Sequence, residues 1–149
     1  MSLLTFSPSD VSEWLTWIEE IALPDYPIIA VGRSGALIGL PLAYSRDDSC
    51  FIFELDMNRF VHLKGHCMQR YFKDLNQDLD LGNYIIIDDC VSSGNTLQII
   101  ATSVKGKCQA VALYAPEESE LRTGEQEKII KEIMGERVKV YINLRGYYK

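Results

Sequence analysis

The sequence contains little of what marks secreted, disulfide-rich or membrane-spanning proteins. Its four cysteines are scattered and form no C-x-x-C pair, so we expect reduced thiols rather than a disulfide framework. No apolar run approaches the roughly 20 residues that cross a bilayer. The N-terminus has neither the basic flank nor the cleavage site of a signal peptide. Together these absences predict a cytoplasmic protein.

Histidine and basic residues are also scarce. The two histidines, His62 and His66, precede Cys67, but Gly65 interrupts any helix between them and no fourth ligand is apparent. A strand histidine followed by a solvated loop is therefore favoured over a zinc site. The 15 basic and 21 acidic residues give a net charge of −6, which argues against nucleic-acid and membrane-surface partners. A length of 149 residues predicts one domain, residues 1–149, with a real hydrophobic core.

The most informative stretch runs from Tyr84 to Thr96. The apolar residues 84–87 predict a strand buried on both faces, and the carboxylates of Asp88 and Asp89 stand where that strand ends. A turn of small residues follows, and residues 97–101 open a helix. Free N–H groups and the positive end of a helix dipole favour an anion at such a turn, and the turn's hydroxyls add donors. The two acids would repel that anion, so they predict sugar hydroxyls or Mg²⁺ as additional ligands.

This stretch resembles the signature of the type I phosphoribosyltransferases, which bind 5-phosphoribosyl-1-pyrophosphate (PRPP). The signature has four apolar residues, two acids, two variable residues and then a hydroxyl-rich Gly-x-Thr turn. The resemblance implies that Asp88 and Asp89 are the catalytic acids, which hold the ribose hydroxyls and, largely through PRPP, a Mg²⁺ ion. It implies that the 5-phosphate is bound by Ser92, Ser93, Gly94, Asn95 and Thr96. The alternative is an acidic strand end followed by an ordinary capped helix.

A second junction of strand, glycine turn and helix lies nearer the N-terminus. Residues 28–31 predict a central strand, and a helix is expected over residues 37–44. The spacing of the intervening glycines is not G-x-G-x-x-G, which disfavours a dinucleotide fold. Beside the first motif, the turn resembles the family's pyrophosphate loop, which implies pyrophosphate binding by Gly32, Arg33, Ser34 and Gly35. A helix-capping glycine turn is the alternative.

The other segments predict strands and helices in alternation. A helix over residues 11–23 is expected to start with a capping box of Asp10 and Glu13. Residues 50–55 and 59–64 predict a hairpin, after which we expect a helix from 96 to 104 that ends at 105–107, a strand over 109–115, a helix to about 134 and a strand over 138–144. This order predicts an α/β doubly wound three-layer sandwich, mostly parallel with one antiparallel edge strand. Both anion turns then lie at carboxyl ends of strands.

Three features differ from what the family implies for an active enzyme. Active members insert a long mobile loop between the second and third strands, whereas only residues 56–58 separate them here. Residues 65–82 are the segment that could supply a lid in place of this loop. The segment from residue 28 to 43 looks like the corresponding region of small bacterial purine-salvage enzymes of the xanthine–guanine type. Those enzymes have a lysine just after the strand that ends here at Ala115, and this lysine binds the 6-oxo group of the purine. This sequence has Pro116-Glu117 at that point. Ser92 stands where some family members have an acid that accepts a proton from the base, and serine is a poor general base.

Tyr114 and Tyr141 could stack on a base or pack in the core.

The resemblance implies a Mg²⁺-dependent enzyme that transfers ribose 5-phosphate from PRPP to a nitrogenous base and releases pyrophosphate, as in nucleotide salvage. It also implies a homodimer or larger assembly. The alternative is a regulatory protein of the same fold that binds PRPP or a nucleotide with little or no turnover. The intact signature and Arg33 favour the enzyme, and the three departures favour the regulator.

Overall fold

A computed structural model describes residues 7–46, 48–54, 59–64, 69–74, 79–115 and 123–144 of the chain. Helices and strands alternate over most of this length, as the hydrophobic pattern predicts. In chain order the elements are α1 (Pro8–Glu20), β1 (Ile28–Val31), α2 (Gly32–Arg46), β2 (Ser49–Glu54), β3 (Arg59–Lys64), β4 (Gln69–Asp74), β5 (Leu79–Asp88), α3 (Asn95–Ser103), β6 (Val104–Ala115), α4 (Thr123–Met134) and β7 (Lys139–Leu144).

Within the described residues the strands form one seven-stranded sheet in the order β4-β3-β2-β1-β5-β6-β7. All neighbouring pairs in it are parallel except those that β3 makes with β2 and β4, so among these seven strands β3 alone runs against the others. The α/β fold class with one reversed strand is therefore confirmed. Strand β4 was not predicted, and it places the reversed strand one position in from the edge.

The sheet is covered on both faces, which confirms the doubly wound arrangement. Side chains alternate along β5, so Ile85 and Ile87 face one layer while Ile86 faces the other. The first layer contains α1 and α2, and its buried side chains include Trp14, Ile18 and Ile38. The second contains α3 and α4, with Ile100 and Ile130 among its buried side chains. Asp88 follows Ile87 and so lies on the α3–α4 face.

Helix α1 begins three residues earlier than expected. Ser7 is its N-cap: the Ser7 hydroxyl accepts the Asp10 N–H at 3.2 Å, and the Asp10 carboxylate accepts the Ser7 N–H at 2.9 Å. The predicted capping box of Asp10 and Glu13 is wrong, because Pro8 suits the first helical position, where a missing N–H costs nothing. The first turn therefore starts at Pro8 rather than after Asp10.

Helix α3 ends at Ser103, and β6 follows directly at Val104, so the expected helix end at residues 105–107 is wrong. The cause is the length of β5, which begins at Leu79 and pairs with β6 from Val104 onward. Gly106 permits the close approach there, since a Cβ at this position would meet the Gly82 carbonyl oxygen at 2.5 Å. Tertiary pairing thus overrides a local helix-stop signal.

The described part of residues 65–82, from which a lid is expected, is strand rather than loop. Residues 69–74 form β4, which pairs with β3 along its whole length, and residues 79–82 belong to β5. In the described part of the chain, no helix is both long and apolar enough to span a membrane.

Candidate functional site

The two predicted anion turns follow neighbouring strands in the middle of the sheet. Strands β1 and β5 are parallel, with Ala30 opposite Ile87, so their carboxyl ends lie at the same edge. From β1 the chain proceeds outward to β2, whereas from β5 it proceeds to β6 on the other side. In open α/β sheets, such a reversal of strand order creates a crevice in which ligands bind.

The acid pair occupies the end of β5. Asp88 is its last residue and is 8% exposed, and its Oδ1 accepts the Asp89 N–H at 2.7 Å. Asp89 is half-buried, and its Oδ1 accepts the Cys90 N–H at 2.8 Å. Burial, and then the neighbouring Asp89 carboxylate, raise the pKa of Asp88 well above the ordinary range. The pair is therefore a like-charge arrangement that a cation or hydroxyl donors would stabilise.

The small-residue turn encloses a concavity of about 60 Å³ that Asp88 lines and Asp89 does not. Asp88 lines it together with Cys90, Val91 and the whole predicted phosphate set, Ser92, Ser93, Gly94, Asn95 and Thr96. Gly94 is the N-cap of α3, and the helix's first internal hydrogen bond runs from the Gln98 N–H to the Gly94 carbonyl at 2.9 Å. The Asn95 N–H donates to the Ser93 hydroxyl at 3.4 Å. The N–H groups of Thr96 and Leu97 have no acceptor within the helix, so they can serve an anion.

Gly94 is required by the geometry of the turn. Its φ is +83°, and a Cβ there would lie 2.6 Å from Ile133 Cδ1 and 2.8 Å from Ile129 Cγ2. Both isoleucines belong to α4, so this helix packs directly on the turn. A side chain at position 94 would separate the turn from α4.

A second contact from α4 was missed in the sequence. Gln126 is fully buried, and its Oε1 accepts the Val91 N–H at 3.1 Å. The available signal was spacing: Gln126 stands three, four and seven residues before Ile129, Ile130 and Ile133, on the apolar stripe of the helix. A glutamine on such a stripe indicates a buried amide that needs hydrogen-bond partners.

The predicted pyrophosphate set follows β1, the strand beside β5, and has a different conformation from the turn after β5. Helix α2 starts at Gly32 immediately after β1, so residues 32–35 are its first turn rather than a loop. Arg33 is exposed at this edge and Ser34 is half-buried. A Cβ on Gly35 would meet the Ile87 carbonyl oxygen at 2.5 Å, which shows that Gly35 lets α2 approach the sheet.

The two proposed base-stacking tyrosines lie away from the turn. Tyr114 is 2% exposed, its ring is stacked on Trp14 with centroids 5.1 Å apart, and its hydroxyl donates to Glu13 at 3.2 Å. Tyr141 is half-buried and packs against the same apolar layer. Core packing, the alternative interpretation of these residues, therefore describes Tyr114, because its ring offers no free face to a base.

His62 fits the interpretation as an ordinary strand residue. It stacks on Phe51 with ring centroids 4.2 Å apart, and its Nε2 lies 3.0 Å from the Ser49 hydroxyl. His66 and Cys67 lie outside the described residues. Over the ranges that the structure covers, no group of three or more metal-ligating side chains is found.

Comparison with known proteins identifies the fold through structure rather than sequence. No protein-family model and no curated protein matches the sequence. The structure resembles adenine phosphoribosyltransferase from Leishmania tarentolae, with a TM-score of 0.58, 15% identity and coverage of 93% of this chain and 71% of the other. It also resembles orotate phosphoribosyltransferase from Francisella tularensis, with a TM-score of 0.55, 14% identity and coverage of 93% and 67%.

A third similar structure is orotate phosphoribosyltransferase from Mycobacterium tuberculosis in complex with inorganic phosphate. Its TM-score is 0.54 at 12% identity, and the match covers 91% of this chain and 70% of the other. Likeness at this identity concerns the arrangement of the backbone. The chain therefore has the fold of the adenine and orotate phosphoribosyltransferases.

Proposed function

We propose that this protein binds PRPP and transfers its ribose 5-phosphate group to a nitrogenous base, with release of pyrophosphate. The observation that carries the proposal is the concavity in which Asp88 and the turn over residues 92–96 meet. It combines N–H and hydroxyl donors for a phosphate with carboxylate acceptors for a polyol, which is the donor and acceptor set that PRPP requires.

Each part of the site then has a role. The N–H groups at the start of α3 and the hydroxyls of Ser92, Ser93 and Thr96 bind the 5-phosphate. Asp88 and Asp89 accept hydrogen bonds from the ribose hydroxyls, and their negative charge stabilises the positive charge that develops on the ribose as pyrophosphate departs. Arg33, exposed at the neighbouring strand end, binds the pyrophosphate through its planar guanidinium.

The acid pair also fits a magnesium ion. Mg²⁺ is commonly bound through one or two carboxylates with the remaining positions filled by water and substrate oxygens. Asp88 and Asp89 supply two adjacent carboxylates. Burial, and then the neighbouring Asp89 carboxylate, raise the pKa of Asp88, so a divalent cation would stabilise both in the charged form. When bound, the ion would offset the charge of the pyrophosphate leaving group.

A regulator that binds PRPP or a nucleotide is the second candidate. The β2–β3 ladder extends to the pair Glu54 and Arg59, which leaves only residues 55–58 for a connection that is long in active family members. Residues 69–74, part of the segment expected to replace this loop, are paired with β3 in the sheet. Without a lid, water would have access to the reacting carbon, which favours binding without efficient transfer.

The acceptor, the assembly and the location belong to the same proposal. We expect a nucleobase acceptor, with the purine-salvage subtype supported by the resemblance of residues 28–43, and a cytoplasmic homodimer or larger assembly.

The deciding experiment is calorimetric titration with PRPP and Mg²⁺, followed by a pyrophosphate-release assay over adenine, hypoxanthine, guanine, xanthine, orotate and uracil. Release with one base establishes the enzyme and names the acceptor. Binding without release across the panel establishes the regulator instead. The double variant Asp88→Asn with Asp89→Asn is the control, and absence of binding by the parent would refute both candidates.

A further inference from the structure

Gln126 is an unusual occupant of its position on α4. It is 0% exposed and stands on a helix face that otherwise carries Ile129, Ile130 and Ile133. A primary amide in an apolar layer is unfavourable unless its oxygen and nitrogen both find partners. Methionine or leucine would fill the same volume without that requirement, so packing alone does not account for a glutamine here.

The Gln126 oxygen has a partner in the anion turn. Its Oε1 accepts the N–H of Val91, which is 35 positions away in the sequence and lines the concavity beside Ser92. This contact also fixes the orientation of the amide, because a backbone N–H can only donate and must face the oxygen. The opposite orientation would bring two donors together.

The Gln126 nitrogen is left without an acceptor. Nε2 is buried and makes no hydrogen bond within the part of the chain that the structure describes. A buried donor without a partner destabilises the fold. Retaining glutamine at this cost indicates a role for its oxygen that a hydrophobic side chain could not provide.

We propose that Gln126 is the positioning residue of the anion turn, an inference that rests on the proposed function. Its oxygen fixes the start of the turn at Val91, while Ile129 and Ile133 of the same helix pack against Gly94 near its end. Helix α4 thus holds the turn on both sides of Ser92 and Ser93. A turn held in this way presents its N–H groups to the phosphate without first having to be ordered.

The test compares Gln126→Met with a matched variant, Gln109→Met. Gln109→Met also removes a side-chain hydrogen bond, the one that Gln109 Nε2 donates to Asn83 Oδ1 at 2.9 Å. Gln109 lies in the middle of β6, four residues before Leu113, which pairs with Asp88. In Gln126→Met we expect hydrogen exchange of the Val91 amide to accelerate at least tenfold by NMR, with exchange at Ile86 unchanged. We expect PRPP affinity to fall about tenfold, which corresponds to about 1.4 kcal/mol. Gln109→Met should change neither quantity.

A second variant separates positioning from packing. Gln126→Glu keeps an acceptor oxygen for Val91, so protection of the Val91 amide should return to within a few-fold of the parent. A packing role predicts the reverse order, with methionine tolerated better than glutamate.

The inference is overturned if the Val91 amide of the parent exchanges as fast as that of exposed Ser92, or if Gln126→Met matches the parent in both exchange and PRPP affinity. Failure of the proposed function is distinguishable: the parent would then not bind PRPP, while the exchange data would still decide whether Gln126 holds the turn.

Discussion

Two junctions of strand, glycine turn and helix stand side by side in this protein and are built differently. After β1, helix α2 starts at once with Gly32, and Gly35 brings the helix close to the sheet. After β5, residues 89–94 intervene before α3 begins at Asn95, and they enclose a concavity. The same sequence pattern therefore produces a packed helix start at one junction and an open cradle at the other.

The difference comes from what packs on each glycine. Gly35 faces the sheet itself, through the Ile87 carbonyl, whereas Gly94 faces Ile129 and Ile133 of another helix. Close approach at Gly35 packs the first turn of α2 against Ala30 of β1 and the Ile87 carbonyl of β5. Close approach of α4 instead holds the α3 turn from behind and leaves its front open. A glycine near the start of a helix thus indicates that another element packs closely on the backbone there. In this protein that element is the sheet at Gly35 and helix α4 at Gly94, and the concavity is found at Gly94.

The strongest test of this comparison is Gly94→Ala against Gly32→Ala. Both glycines have positive φ, +83° and +65°, but a Cβ at position 32 would meet no atom within 4 Å, whereas one at position 94 would meet two isoleucines. We expect Gly94→Ala to lower the free energy of unfolding by about 2–4 kcal/mol, from backbone strain plus displacement of the isoleucine methyl groups. Gly32→Ala should lower it by about 1–2 kcal/mol, from strain alone. Urea denaturation measures both, and equal losses would contradict the packing difference.

The acid pair gives the largest expected effect on binding. Asp88→Asn with Asp89→Asn should weaken PRPP affinity at least a hundredfold, about 2.7 kcal/mol, because neutral amides are poorer acceptors for ribose hydroxyls and poorer ligands for Mg²⁺. Calorimetry with PRPP and Mg²⁺ measures the loss. Unchanged affinity would mean that the cradle after β5 is not the PRPP site.

Although replacement of the acid pair should weaken PRPP binding, Asp88→Asn should not lower the stability of the fold near neutral pH. The folded-state pKa of Asp88 is raised, so folding favours its protonated form, and the associated stability is present at acid pH and lost as pH rises through the raised pKa. The amide of Asp88→Asn does not ionise, so the variant does not lose stability as the pH rises. Near neutral pH the variant should be at least as stable as the parent. Thermal unfolding between pH 4 and 8 measures the effect, and a variant less stable than the parent at pH 7 would contradict it.

Much of the fold could be predicted because it depends on local pattern. The apolar run of residues 84–87 and the signals around the hairpin of β2 and β3 are contained in short segments. The start of β6 at Val104 and the strand β4 depend on partners far along the chain, so short segments do not reveal them. The unexpected N-cap at Ser7 was a local signal that was available but misinterpreted.

The candidate site likewise has a part that follows from one short segment and a part that depends on distant residues. Residues 88–96 could be predicted because one continuous segment supplies both the acids and the turn. Gln126 could not be assigned to the turn, because a contact between Val91 and a helix 35 residues later has no signature in either segment. The conformation of residues 32–35 was equally hidden, since the distance between α2 and the sheet depends on packing along the whole helix.

Arg33 tests whether the packed junction after β1 contributes to binding at all. Arg33 is exposed, and surface substitutions of this kind change stability little, so Arg33→Ala should leave the melting temperature within about 1–2 °C of the parent. If its guanidinium binds pyrophosphate, PRPP affinity should fall about tenfold while affinity for inorganic phosphate, bound at the other junction, stays the same. Arg137→Ala, also exposed but beyond the C-terminal end of α4, is the matched control. Equal losses for both ligands would show that Arg33 acts only through long-range charge.

Tyr114→Phe has the smallest expected effect and tests whether the site is confined to one face of the sheet. Tyr114 packs in the α1–α2 layer, whereas Asp88 lies on the α3–α4 face. Tyr114→Phe keeps the stacking on Trp14 and removes the hydroxyl that donates to Glu13, so the free energy of unfolding should fall by about 0.5–1.5 kcal/mol. PRPP affinity and the preference among bases should not change, because the ring is covered on the side away from the cradle. A changed base preference in Tyr114→Phe would show that the ligand extends past the end of β6 onto the other face, and the contrast between the two junctions would then no longer define the site.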